Sequence, residues 1–172
     1  MRQLSRITVT AAPLWRGLDY GPAVVVLAPS ETRPAELPIA WQPLEQCYQI
    51  AWCAVPDGVE SLDRVEDVLE TLADRNIRTH LVAHTSLRDV AARIVAEFPD
   101  IVRSLVLVGP GRVSEPTGVR TRRVTAGELT SPEAVREIAA VVERGETANV
   151  RLSLPGDDRI TLGRLRVEVG RR

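Results

Sequence analysis

Between Arg78 and Val108 the chain passes from an apolar run, through the turn Leu81-Val82-Ala83-His84-Thr85-Ser86-Leu87-Arg88, into a helical pattern and then a second apolar run. Residues 78–83 predict a strand. The segment after the turn places Leu87, Val90, Ala91, Ile94, Val95 and Phe98 on one helical stripe, and Pro99-Asp100 stops it. Val102 to Val108 predicts the second strand, ended by Gly109-Pro110-Gly111. A strand, a helix and a strand in succession call for parallel pairing within one sheet.

The rest of the chain extends that plan. Arg6 to Thr10 alternates in strand fashion, and Ala23 to Ala28 is a continuous apolar run, AVVVLA, suited to a strand buried on both faces. Pro29 to Pro43 holds four prolines and reads as a loop with one short helical turn. Tyr48 to Val55 predicts a strand closed by the turn Pro56-Asp57-Gly58. Ser61 stands as N-cap before a helix with Leu62, Val65, Val68, Leu69 and Leu72 on one face, ended by Asn76. Gly111 to Gly118 is too short for a helical lid, and Val119 to Ala126 predicts a further strand. Ser131-Pro132 opens a helix carrying Val135, Ile138, Ala139 and Val142, with Gly145 as its end. Asn149 to Leu154 and Arg159 to Val169, split by Pro155-Gly156-Asp157-Asp158, predict a C-terminal hairpin. The fold class is α/β: a three-layer, mostly parallel sheet with helices on both faces, its ligand site along the edge where the strands end.

Composition limits what such a fold can do. At 172 residues the chain is long enough for one domain with a full core, spanning 1–172. A formal net charge of −1 provides no global field to recruit nucleic acid or an anionic membrane. All 22 basic residues are arginine, a bias typical of a GC-rich bacterial coding sequence, so no lysine is present to act as a base or form a Schiff base. Cys47 and Cys53 form no CxxC and have no histidine pair nearby, which points to reduced thiols in a cytoplasmic protein. The first residues lack the apolar core of a signal peptide, and no run approaches the length of a membrane span. No phosphate loop or dinucleotide-binding GxGxxG occurs, and no cofactor is expected. No metal is expected either: His80 and His84 would stand about 13 Å apart along a strand.

From about Pro22 to Gly111 the chain resembles the α/β-hydrolase superfamily. Residues 81–110, LVAHTSLRDVAARIVAEFPDIVRSLVLVGP, are similar to the family pattern LVGHSxGGxxAxxxAxxxPxxVxxLVLxxP. His84, Pro99, Val102 and Leu105-Val106-Leu107 match it. The resemblance implies a nucleophile at the turn, a late histidine as base, and an oxyanion loop after the first buried strand. Each of these positions departs from the pattern. The nucleophile position is Thr85, and the family glycines around it are Ala83, Leu87 and Arg88. His80 and His84, the two histidines of the chain, both precede or form the turn; the late turn offers Asp157 and Asp158 instead. Glu128 falls near the family acid position. The oxyanion loop reads Ala28-Pro29-Ser30-Glu31, where proline lacks an N–H and the glutamate would repel a developing oxyanion.

Three functions remain open. The first is a noncatalytic, hydrolase-like protein that binds a partner protein or a small acidic or acyl ligand at the sheet edge, with Arg88, Ser86, Ser30 and Glu31 as binding residues. Arg88 and the helix start would then favour an anion. The second is an atypical esterase, thioesterase or acyl-transfer enzyme using Thr85 or Ser86, with His84 as the nearby base. Against Ser86, the run Ser86-Leu87-Arg88-Asp89 has the form of a capping box, and its neighbours two residues away, His84 and Arg88, are bulky. The third is a subunit of a homo-oligomer pairing through Arg159 to Val169. Arg120, Arg122 and Arg123 read as outward-facing strand residues, and Asp57, Glu60 and Asp63 as a solvated helix start.

Overall fold

The computed structural model describes residues 12–30, 33–56, 62–111, 118–125 and 127–153, the last eight by their helical backbone alone. Six strands are present: β1 (Leu14–Gly17), β2 (Ala23–Ala28), β3 (Gln49–Ala54), β4 (Thr79–His84), β5 (Val102–Val108) and β6 (Arg120–Val124). They form one sheet in the order β1-β3-β2-β4-β5-β6, with β1 antiparallel to β3 and every other pair parallel. Helices α1 (Leu62–Asp74), α2 (Arg88–Glu97) and α3 (Pro132–Ser153) and a 3-10 helix over Ile39–Gln46 complete the mixed α/β fold.

The central strands form where the sequence is apolar without interruption. Every residue of β2 and β3 is buried, as β-branched and aromatic side chains of a strand covered on both faces must be. Successive residues fall into two clusters. Val25, Leu27, Leu81, Ala83, Leu105 and Leu107 pack with α1 and α2. Val24, Val26, Val82, Val106 and Val108 pack with Trp41 and Leu44 of the 3-10 helix and with Val135, Ile138 and Val142 of α3. Trp41 has no exposed surface; its indole N–H donates to the Leu129 carbonyl at 2.7 Å, and its ring meets Trp52 edge-on, centroids 5.4 Å apart. That contact joins the 3-10 helix to the segment leading into α3 and satisfies a donor that burial would otherwise strand.

Helix ends follow their local chemistry. Asn76 adopts φ 53°, its N–H donates to Ala73, and the Ile77 N–H donates to Leu72, both at 2.9 Å. This is a Schellman closure, with Asn76 as the residue whose short polar side chain tolerates the left-handed conformation. At α3 the Ser131 hydroxyl accepts the Ala134 N–H at 3.3 Å, with Pro132 as the first helical residue.

Two expectations are corrected, and others lie outside the described residues. Gly145 does not end α3, which runs on to Ser153, so residues 149–153 are helical and not the first arm of a hairpin. The reason lies beneath the helix. A Cβ on Gly145 would stand 3.2 Å from His80 Cε1, so this glycine serves close packing over a buried imidazole. His80 is fully buried, with Nδ1 2.7 Å from Ser104 Oγ. The second hairpin arm, Arg159 to Val169, lies outside the described residues, as do the strand expected at Arg6 to Thr10 and the cap Ser61. The edge strand β1 was not anticipated: four residues, LWRG, carry too little alternation to signal a strand. No helix among the described residues is long and apolar enough to cross a membrane.

Two predictions follow from this packing. Cys47 is exposed, whereas burial pushes the Cys53 thiol up to about 12. A thiol-reactive dye at neutral pH is therefore expected to label Cys47 in the native protein and Cys53 only on unfolding, by peptide mapping; equal labelling rates would contradict the packing. Ser131→Ala is expected to lower unfolding free energy by about 1 kcal/mol in a denaturant titration, with Ser131→Asn restoring it.

Candidate functional site

The turn after β4 is a 3-10 turn over Thr85–Leu87 that leads directly into α2. Among the described residues the one non-glycine with positive φ is Asn76, so Thr85 does not hold the strained backbone that lifts a hydrolase nucleophile. His84 caps this turn: its Nδ1 accepts the Ser86 N–H at 3.2 Å and stands 2.7 Å from Ser86 Oγ. A ring nitrogen accepting an N–H is unprotonated, which leaves the proton of a neutral imidazole on Nε2. The capping-box expectation for Ser86 is thus corrected. The residue at the α2 N-cap is Leu87, with no side-chain cap, and Ser86 turns back onto His84.

Thr85 is 8% exposed, and its hydroxyl donates to the Pro110 carbonyl at 3.2 Å. Two more bonds hold the same loop: the Gly109 N–H donates to Val124 at 3.0 Å, and Arg123 Nη2 donates to the Gly111 carbonyl. Gly109 has φ 133°, and a Cβ there would stand 2.6 Å from Thr85 Oγ1 and 3.1 Å from His84 Nε2. A residue without a side chain is therefore needed where the end of β5 approaches Thr85 and His84. Thr85 acts as a staple between two strand ends.

Beside the staple lies a cavity of about 510 Å³, lined by Ala28, Pro29, Ser30, Pro34, Pro38, Trp52, His84, Glu128, Leu129 and Thr130. It opens over the C-terminal ends of β2 and β4, where the chain's crossovers leave β2 toward β3 on one side and reach β4 on the other. Open parallel sheets bind ligands at such a switch point, and the volume is that of a small-molecule site. Its walls are mainly apolar, with His84, Ser30, Thr130 and the exposed Glu128 as polar groups.

Amides that could stabilise an oxyanion are engaged elsewhere. Pro29 has no N–H, the Ser30 N–H donates to the Ala28 carbonyl at 2.9 Å, and the Ser86 N–H is taken by His84. Of the residues expected to bind or react, Ser30 and His84 line the cavity. Thr85, Ser86 and Arg88 do not line it, and Arg88 Nε instead pairs with Asp89 at 3.4 Å. Glu31 lies outside the described residues. No group of three or more metal-ligating side chains occurs among the described residues. Trp52, brought to the cavity from β3, and Glu128, from beyond β6, were not assigned a binding role from sequence; Glu128 carried only the acid position that the resemblance implies, and tertiary structure alone brings these segments together.

No protein-family model matches the chain, and no curated protein matches it. One solved structure, titled marine microorganism esterase, is similar at 13% identity and a TM-score of 0.35, over 62% of this chain and 46% of that one. The chain therefore spans just under half the length of that protein.

Proposed function

We propose that this chain is a noncatalytic α/β-hydrolase-like domain, a single three-layer unit with helices on both faces of its sheet, that holds a small, largely apolar ligand in the cavity over β2 and β4. One observation carries the reading: the hydroxyl at the nucleophile position is buried and bonded to Pro110, away from the lining of that cavity. The engaged amides of Ser30 and Ser86 support it, since charge developing on a carbonyl oxygen would find neither donor free. Among the described residues no arginine lines the cavity and Glu128 stands at it, which favours a neutral acyl or aromatic group over an anionic one. The imidazole Nε2–H of His84 and the hydroxyls of Ser30 and Thr130 provide polar contacts for orientation.

A second reading has one specific observation in its favour. The 2.7 Å contact between His84 Nδ1 and Ser86 Oγ is the geometry of a base beside a nucleophile, so an atypical ester or thioester hydrolase using Ser86 is the alternative.

Both readings are tested on one set of proteins. Wild type, Thr85→Val and Ser86→Ala are assayed with p-nitrophenyl acetate, and the Trp52 indole N–H signal is followed by NMR during titration with neutral phenyl acetamide. The expected outcome is saturable movement of the Trp52 signal in all three proteins and ester turnover no greater than that of denatured protein. Thr85→Val is expected to be about 1 kcal/mol less stable, because the Pro110 carbonyl loses its donor. Turnover abolished by Ser86→Ala would overturn the noncatalytic reading in favour of the hydrolase. A Trp52 signal unmoved by the probe would remove the cavity as an acyl or aromatic site.

A further inference from the structure

The edge strand β6 carries Arg120 and Arg122 two residues apart, opposite Ser104 and Val106 of β5. Val106 belongs to the cluster that packs with α3, which puts both arginines on the side of the sheet that α3 covers. Across from them, α3 presents Val141 and Arg144. Together these residues and Thr121 line a groove of about 210 Å³ between the edge strand and the helix. Three guanidinium groups thus share one small depression whose apolar contribution is Val141.

Elsewhere on this protein arginines are neutralised within their own helix: Arg88 by Asp89, Arg93 by Glu97 and Arg136 by Glu133. No described carboxylate lies within ion-pair distance of Arg120, Arg122 or Arg144, and no described acidic residue lines the groove. Arg144 makes one bond, from Nε to the Ala140 carbonyl at 3.0 Å, which fixes its stem along α3 and leaves the terminal guanidinium nitrogens as donors. Like charges gathered with no described counter-charge repel one another. A multiply charged anion in the groove relieves that repulsion and accepts several charge-assisted hydrogen bonds at once.

We infer that the groove between β6 and α3 is an oxyanion site, taking a phosphate group either as the free ion or as the end of a small phosphomonoester. The site is separate from the cavity over β2 and β4: the two share no lining residue, so either stands without the other. Planar guanidinium forks from two elements suit the tetrahedral group better than a planar carboxylate, which one fork already saturates.

The test titrates the protein with inorganic phosphate and, separately, phenyl phosphate, with ionic strength held constant by sodium chloride so that general screening does not change. Arginine Nε–H NMR signals and the thermal midpoint are read. Saturable movement of the Arg120, Arg122 and Arg144 signals and a raised midpoint are expected. Arg122→Gln and Arg144→Gln should each weaken binding about tenfold, the loss of one charge-assisted contact, while Arg93→Gln leaves it unchanged. Stronger binding of inorganic phosphate would assign the site to the free ion, and stronger binding of phenyl phosphate to an ester. Absence of saturable binding by both, or equal weakening by Arg93→Gln, would overturn the inference. All three positions are exposed, so the variants keep the core intact, and the unchanged Trp41 indole signal verifies that they fold.

Discussion

Burial of the central strands along nearly their whole length is the constraint on which everything else rests. β2 and β3 have no exposed residue, β4 is buried up to His84, and β5 exposes Arg103 alone. Strands so covered must have every amide paired, because an unmatched N–H in such surroundings costs about 1–3 kcal/mol. Registry is therefore fixed across the sheet: Trp52, Val26, Val82, Val106 and Arg122 fall in one row. A slip by one residue would exchange the contents of the two clusters. The strand ends inherit that rigidity, and the loops that leave them have little choice of position.

At those ends the hydrogen-bonding groups of the loops are bonded to the protein itself. Thr85 holds Pro110, the imidazole of His84 holds the turn, and the Ser30 amide closes on Ala28. Each bond is modest, on the order of 1 kcal/mol, and together they hold the strand-end loops in place. The side chains of Thr85 and His84 thereby serve the framework, and the adjoining cavity keeps polar groups in its lining. His84 belongs to both: it lines the cavity and caps the turn. A ligand that drew its ring away would also release the Ser86 amide.

Much of this was legible in the chain. Runs such as AVVVLA at Ala23 and VRSLVLV at Val102 have nowhere to go but a covered sheet, and their boundaries match the observed strands within a residue or so. Ser131-Pro132 and Asn76 marked helix ends because their side chains act locally. What escaped reading was set by distant contacts. Gly145 has the look of a terminator until His80 is found beneath it, and β1 owes its existence to the exposed edge of β3 more than to its own four residues. The site divides the same way. Leu87 and Arg88, standing where the resemblance implies glycines, were visible in the sequence, whereas the engagement of Thr85 with Pro110 depends on two strand ends meeting.

The arginines of β6 have another consequence, for how copies of this protein meet. Among the described residues β6 closes the sheet on its side, with a row of backbone donors and acceptors facing outward. Such an edge is a template for indefinite growth of the sheet in concentrated solution. Two copies approaching edge to edge about a twofold axis would bring Arg120, Arg122 and Arg123 of one against the same residues of the other. Like charges set opposite one another across a ladder oppose its formation. An anion that neutralised them would weaken this barrier to edge-to-edge pairing, so the colloidal behaviour of the protein is tied to its ionic surroundings through one short strand.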